Sequence, residues 1–444
     1  MDPTTTAIGT WSGGRFMHFG EPLSEERLTA LLRPGEGVET VLTADVYGEG
    51  GADRALKRAL EDYERERCCV VGAIGHDFYE GEREGAKGYP RFTDPRLRPE
   101  GAYADYIRMA TERSLERCGI DRFDVLLLHN PDRTGFRSEA VWAGMEAVRA
   151  AGLTRLLGVA PGPANGFTLD VIECFERFGG SIDWAMVILG PMEPWPGELV
   201  LAAADANDVK LITRVVDYGG LFHDDVSPDE DFAEYDHRRF RPAGWVRAGL
   251  EKLELMRPFA ERNGLTMLQL ACAWNLAQPA VACVAPTLIQ ERGPHARPIE
   301  DERAELAALG RARGAPASVS MPASVSDRDR RARAYARTRA RAAPPSGHTT
   351  TPAPSGDTTT PAPSGDTGTA VPALATTELT DDELEAIRAI GDNTGTMALK
   401  GASAEHEGPA AADRWGLDER SLAVAERWGI HPERDLARTA LTGA

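Results

Sequence analysis

Eight short apolar runs, each followed by an amphipathic stretch, constrain this chain more than any other feature. They are TTAIGTW around Ile8, VETVLTA around Leu42, CCVVGAI around Val71, FDVLLLH around Leu127, TRLLGVA around Leu157, DWAMVIL around Val187, KLITRVV around Ile212 and AVACVAP around Cys283. Runs of this length bounded by turn residues read as buried strands. The stretches between them carry helical periodicity, as in ADRALKRALEDYERE, where Ala55, Leu56, Ala59, Leu60 and Tyr63 recur on one face. Strands alternating with helices make βα units and a parallel sheet. Eight such units predict an α/β fold, a closed (β/α)8 or TIM barrel over residues 1–310, with functional residues at the C-terminal strand ends.

After Leu309 the composition changes. Residues 328–341 are arginine-dense, and TTTPAPSGD then occurs twice, from Thr349 and from Thr358. Such a segment buries too little apolar surface to offset the entropy of ordering, so 311–376 is predicted to be a disordered insertion. Periodicity returns at LTDDELEAIRAIGDN, where Thr380 and Glu383 form a capping box and Gly391 supplies the stop. With LDERSLAVAERWG it makes 377–444 a short helical tail, expected to pack on the barrel and border its mouth.

A net charge of −19 over 444 residues argues against nucleic acid or an anionic membrane surface as partner and favours a small molecule. The six cysteines show no C-x-x-C spacing and read as buried, reduced thiols. The N-terminus lacks a basic and then apolar leader pattern, and no apolar run reaches membrane-spanning length, so a cytoplasmic protein is expected.

Five stretches in order, TADVYGEG, ERCGIDRFDVLLLHNPD, AGLTRLLGV, VKLITRVVDYGGLF and GLTMLQLACAWNLAQPAVACVAP, resemble the aldo-keto reductase superfamily. The resemblance implies reduction of an aldehyde, ketone or sugar-like carbonyl by NADPH or NADH, NADPH being favoured. The family sets a tyrosine proton donor beside a histidine, with a lysine–aspartate pair behind them. Tyr47 matches the tyrosine and His129 the histidine, but Leu42 stands at the aspartate position and Gly75 is aligned with the lysine. Removing one partner of a buried ion pair costs about 3–5 kcal/mol, whereas replacing both can be nearly neutral. The double loss is therefore a coherent apolar substitution. Without the ammonium, Tyr47 is expected to titrate near the free value of about 10 and to serve as acid better than as base. Where the family holds the carboxamide with Ser and Asn, this chain has Ala160 and Pro161. Arg214, Gly219, Gly220 and Pro286, at the ends of the seventh and eighth strands, are the candidate cofactor contacts, Arg214 having Asp217 as an alternative salt-bridge partner.

Strand-end polarity supplies the remaining candidates. His76, beside the lost lysine, is a third catalytic candidate that could restore a positive charge near Tyr47. Asp45, Asp77, Trp195 and Asp217 are candidate substrate contacts, with Trp195 suited to stacking on a sugar face. No ligand spacing points to a metal. The long segment Gly75 to Glu100 reads as a cover over the mouth. Two alternatives keep the barrel without hydride transfer: a cofactor-independent isomerase or lyase using Tyr47, His76 and His129 on a sugar-like ligand, and a non-catalytic binding barrel.

Overall fold

The computed structural model describes residues 1–84, 88–162, 167–313, 378–391 and 417–436. All eight apolar runs are strands: β1 Ala7–Gly9, β2 Thr40–Leu42, β3 Cys69–Ile74, β4 Phe123–His129, β5 Thr154–Ala160, β6 Trp184–Ile188, β7 Lys210–Arg214 and β8 Val281–Ala285. They pair in parallel in sequence order. Thr6 bridges Val284, whose N–H donates to the Thr5 carbonyl at 2.9 Å, and this contact closes the sheet on itself.

Alternation along each strand sorts the side chains into two layers. Leu42, Val71, Val125, Leu127, Trp184 and Ile212 point into the barrel. Their neighbours Val41, Val70, Leu126 and Leu211 point out and pack under the helices. The layer of inward side chains beneath the C-terminal strand ends is apolar, which sets the functional groups on the rim above it. The helix predicted across ADRALKRALEDYERE runs only from Gly51 to Leu60. Glu61 leaves helical geometry and Asp62 takes a φ of 59°, which turns the chain toward β3.

Helix Ile299–Arg313 continues three residues into the predicted insertion, and the rest of 311–376 lies outside the described residues. Beyond it, helix Asp381–Ile390 carries the expected capping box of Thr380 and Glu383. Gly391 ends that helix in an extended conformation, and its missing side chain leaves room for the Pro191 carbonyl. Glu383 accepts from Arg262 and Asn263, both at 3.1 Å. Helix Glu419–Trp428 lies against helix Thr168–Phe178, with Arg427 paired to Glu176 at 2.6 Å and Trp428 Nε1 donating to the same carboxylate at 2.9 Å. The described parts of the tail, 378–391 and 417–436, thus pack on the barrel. All six cysteines are unpaired and buried. Among the described residues no helix is long and apolar enough to cross a membrane.

A buried ion pair ties the turn after β7 to the helix after β8. His223 Nδ1 lies 3.0 Å from Glu302 Oε1, and neither side chain is exposed. The other Glu302 oxygen accepts from Ile289 N at 3.0 Å, and Asp225 accepts from Arg297 N at 3.1 Å. Among the described residues, His223, Asp225 and Glu302 are also the one set with ligand atoms close enough to share a cation, within 4.8 Å of one another. A protonated His223 would supply that positive charge. Burial opposes it, but Glu302, Asp217 and Asp225 outweigh burial and raise the His223 pKa. A raised folded pKa gives stability that is complete below the unfolded value of about 6.5 and fades as pH rises through the folded value. Burial also raises Glu302, to about 7, so the pair is ionic between that value and the folded His223 pKa of about 9, and His223→Gln should cost about 3–5 kcal/mol at pH 8. In denaturant melts run from pH 8 upward the gap to wild type should shrink. A gap that stays constant to pH 10 would show that the pair is not ionic.

Candidate active site

The turn after β2 delivers Tyr47 to the rim. Thr43 N and Asp45 N continue the pairing to the Val71 and Ala73 carbonyls at 2.9 and 3.0 Å, and Tyr47 N then closes onto the Ala44 carbonyl at 3.0 Å. His129 is the last residue of β4 and continues the inward series of Val125 and Leu127. The two rings meet edge to face with centroids 5.6 Å apart. His76, just past β3, stands on the other side of His129 at 5.2 Å. The three candidate catalytic residues are thus brought together in one row.

Beneath them there is no charge. Leu42 faces the interior, 2% exposed. Gly75 does not mark a vacated lysine site, because a Cβ there would lie 2.3 Å from the His129 carbonyl oxygen. The inward-facing residue in that part of β3 is Ala73, which is equally neutral. The alignment of the lysine with Gly75 is corrected to Ala73 on this steric ground.

Positive charge arrives instead from above. Arg214 ends β7 and donates through Nη2 to the Pro161 carbonyl at 3.2 Å. Arg91 forms an antiparallel bridge with His76, donates through Nε to the Asn130 carbonyl and places Nη1 2.9 Å from His76 Nδ1. The other nitrogen of His76 faces the Asn130 carboxamide at 3.1 Å. Among the described residues neither guanidinium has a carboxylate within salt-bridge distance. Burial lowers the pKa of both, that of Arg91 to about 10.

Burial sets the ionisation of the row, and at the imidazoles these cations reinforce it. Burial, followed by Arg91 and Arg214, pushes His129 down to about 3. Burial, then Arg91 and His129, holds His76 well below its ordinary value. The expectation that His76 would carry a positive charge near Tyr47 is thereby corrected, since an imidazole already buried against a guanidinium does not take up a second charge. Burial raises the Tyr47 phenol, with Arg214 opposing the rise. The site consists of a neutral phenol, two neutral imidazoles and two half-buried cations.

The remaining candidates lie outside this row. Asp45 is fully buried beneath the turn, 3.4 Å from the Tyr79 hydroxyl, and burial beside Asp53 raises its pKa far above the carboxylate range. Asp77 organises the long loop, accepting from Tyr79 N and Glu80 N at 3.0 Å each and pairing with Arg98. Trp195 is 2% exposed, and its indole N–H donates to the Asp435 carbonyl at 2.6 Å, so the tail covers it. Asp217 accepts from Gly220 N at 3.0 Å and from Thr287 N at 2.7 Å. It joins the loops after β7 and β8, next to buried Pro286, and forms no pair with Arg214. Gly219 and Gly220 have φ values of 70° and 93°. Arg238 spans them, donating to the Gly219 carbonyl at 3.3 Å and pairing with Glu291 and Asp236.

Residues 7–291 match the aldo/keto reductase family. The chain belongs to that family. It is 24% identical over 295 residues to a probable voltage-gated potassium channel subunit beta of Arabidopsis thaliana, covering 62% of this chain and 82% of that one. It is 25% identical over 281 residues to an aldo-keto reductase of Schizosaccharomyces pombe whose name carries NADP(+), covering 62% and 77%. In fold it resembles the glycerol dehydrogenase of Gluconobacter oxydans, with a TM-score of 0.51, 20% identity, and 78% and 95% of the two chains covered.

Arg91 and Asn130 escaped the sequence reading. Arg91 is one of four arginines in the segment Gly75 to Glu100, and only the bridge to His76 distinguishes it from Arg98, which is committed to Asp77. Arg238 and Glu291 were likewise hidden in loops. The ionisation pattern is directly measurable. In histidine-selective NMR the His76 and His129 ring signals should stay flat between pH 5 and 8, and a mid-range titration of either would refute the electrostatics described.

Proposed function

We propose that this protein is a nicotinamide-dependent carbonyl reductase in which Tyr47 is the proton donor and His129 a neutral hydrogen-bonding partner. The supporting observation is the edge-to-face approach of the two rings at 5.6 Å over an apolar floor, with a half-buried guanidinium beside them. The donor set around Gly219 and Gly220 suits a dinucleotide pyrophosphate. Left-handed glycines leave the backbone open to close approach, and Arg238 lies above it. The Glu291 carboxylate is an internal anion already seated on Arg238, and nucleotide binding requires it to yield. Arg214, at the end of β7 beside Pro161, would border the nicotinamide. The name of the Schizosaccharomyces pombe relative favours NADPH.

The nicotinamide, when bound, supplies hydride to the carbonyl carbon. The Tyr47 hydroxyl delivers the proton to the carbonyl oxygen, and neutral His129 orients that oxygen by hydrogen bonding. Negative charge building on the oxygen is stabilised by Arg214, whose charge acts on both rings. Arg214 thereby takes over the electrostatic part of the missing lysine from the opposite side of the barrel. Leu42 and Ala73 keep water from beneath the phenol. The six unpaired thiols suit a reducing compartment, and we place the activity in the cytoplasm, on a small-molecule substrate.

A phenol whose pKa is raised remains an acid throughout the neutral range and becomes a base only at high pH. Carbonyl reduction should therefore be nearly flat from pH 6 to 9, while oxidation of the corresponding alcohol should climb roughly tenfold per pH unit toward the phenol pKa. Tyr47→Phe should lower reduction at least about a hundredfold while leaving nucleotide binding in place. Absence of NADPH and NADH binding at millimolar concentration, or an unchanged rate in Tyr47→Phe, would refute the assignment.

A further inference from the structure

The two half-buried guanidiniums are not equivalent. Arg214 acts on Tyr47 and His129. Arg91 acts on His76 and His129. The row therefore runs Tyr47, His129, His76, with Arg214 serving its first end and Arg91 its last. A carbonyl reduced at Tyr47 uses the charge of Arg214, whereas Arg91 lies two ring-to-ring steps away, 5.6 and then 5.2 Å, and has no part in stabilising the alkoxide.

Arg91 is nonetheless held firmly. It spends Nε on the Asn130 carbonyl and Nη1 on His76 and the Tyr89 carbonyl, the last at 3.3 Å. Its Nη2 donates to nothing among the described residues. This guanidinium is half-buried, and Asp132, whose charge reaches it, lies beyond salt-bridge distance, so its charge is only partly compensated. An arginine oriented by neutral groups, with one edge left open, is built to receive a planar anion in charge-assisted hydrogen bonds.

We propose that Arg91 binds a carboxylate of the substrate, so that the enzyme acts on carbonyl compounds carrying a carboxylate several bonds from the reacting carbon, the class of open-chain sugar acids. This rests on the reductase reading for the carbonyl end of the row, but the carboxylate end is independent of it. Asn130 and His76, both polar and both beside Arg91, suit hydroxyl groups on the intervening carbons. The surrounding charge supports the same class: the row holds two cations and no carboxylate of its own, Asp132 and Glu193 acting on those cations only from beyond salt-bridge distance, so an anionic substrate is attracted and a cationic one repelled.

The test compares D-glucuronate with its neutral amide, D-glucuronamide, as substrates in NADPH-driven turnover, and measures calorimetric binding of D-gluconate, which has no carbonyl to reduce. Wild type should favour the acid over the amide at least thirtyfold in kcat/KM, mainly through KM. In Arg91→Gln that ratio should fall to within about threefold of unity, and Arg91→Lys should recover part of it. D-gluconate should bind wild type at least tenfold more tightly than Arg91→Gln. Equal use of acid and amide by wild type overturns the proposal while leaving the reductase reading intact. Arg91-dependent gluconate binding without turnover of any carbonyl upholds the proposal and overturns the reductase reading. If Arg91→Gln fails to fold, the wild-type ratio and the Arg91→Lys variant decide the matter.

Discussion

The whole arrangement depends on the interior of the barrel being unable to hold a charge. Leu42 and Ala73 make the layer beneath Tyr47 as apolar as the rest of the lumen. An ion placed there without a partner would lose several kcal/mol of solvation. Cations that act on the phenol must therefore come from the strand ends and loops, where backbone carbonyls are within reach. Arg214 finds the carbonyl of Pro161 and Arg91 that of Asn130. Burial first and those two cations second keep the imidazoles between them uncharged, while burial, against the pull of Arg214, keeps the proton on the phenol. The chemistry of the rim is a consequence of the composition of the core.

This also explains why the loss of two family residues does not read as decay. A lone aspartate at 42 or a lone lysine at 73 would have been a stranded charge, whereas leucine and alanine pack with Val71 and Val125 in one apolar cluster. The carboxamide-binding pair is replaced in the same spirit. Pro161 cannot offer a side-chain hydrogen bond, yet its carbonyl anchors Arg214.

The barrel was legible because the short apolar runs and their spacing are local properties. Each of the eight strands lies within its predicted run, and the capping box at Thr380 is a four-residue signal. Tyr47, His129 and His76 were also legible, since each follows directly from a strand end. Long-range pairings were not. Asp45, Asp77 and Trp195 are as polar or aromatic as a substrate contact should be, and nothing in their neighbourhood of sequence reveals that Tyr79, Arg98 and Asp435 claim them. Arg91 is the converse: its value lies in a bridge to a residue fifteen positions earlier, in a segment where several arginines compete for notice.

The points where the chain leaves and rejoins the described structure carry a consequence of their own. Arg313, at the end of the helix after β8, feels the charge of Glu378, where the tail begins. Departure and return are therefore neighbours on the barrel's flank. The tail is fastened to the barrel separately, through Glu383 and Trp428, so its seat rests on contacts of its own and not on the covalent connection to Arg313.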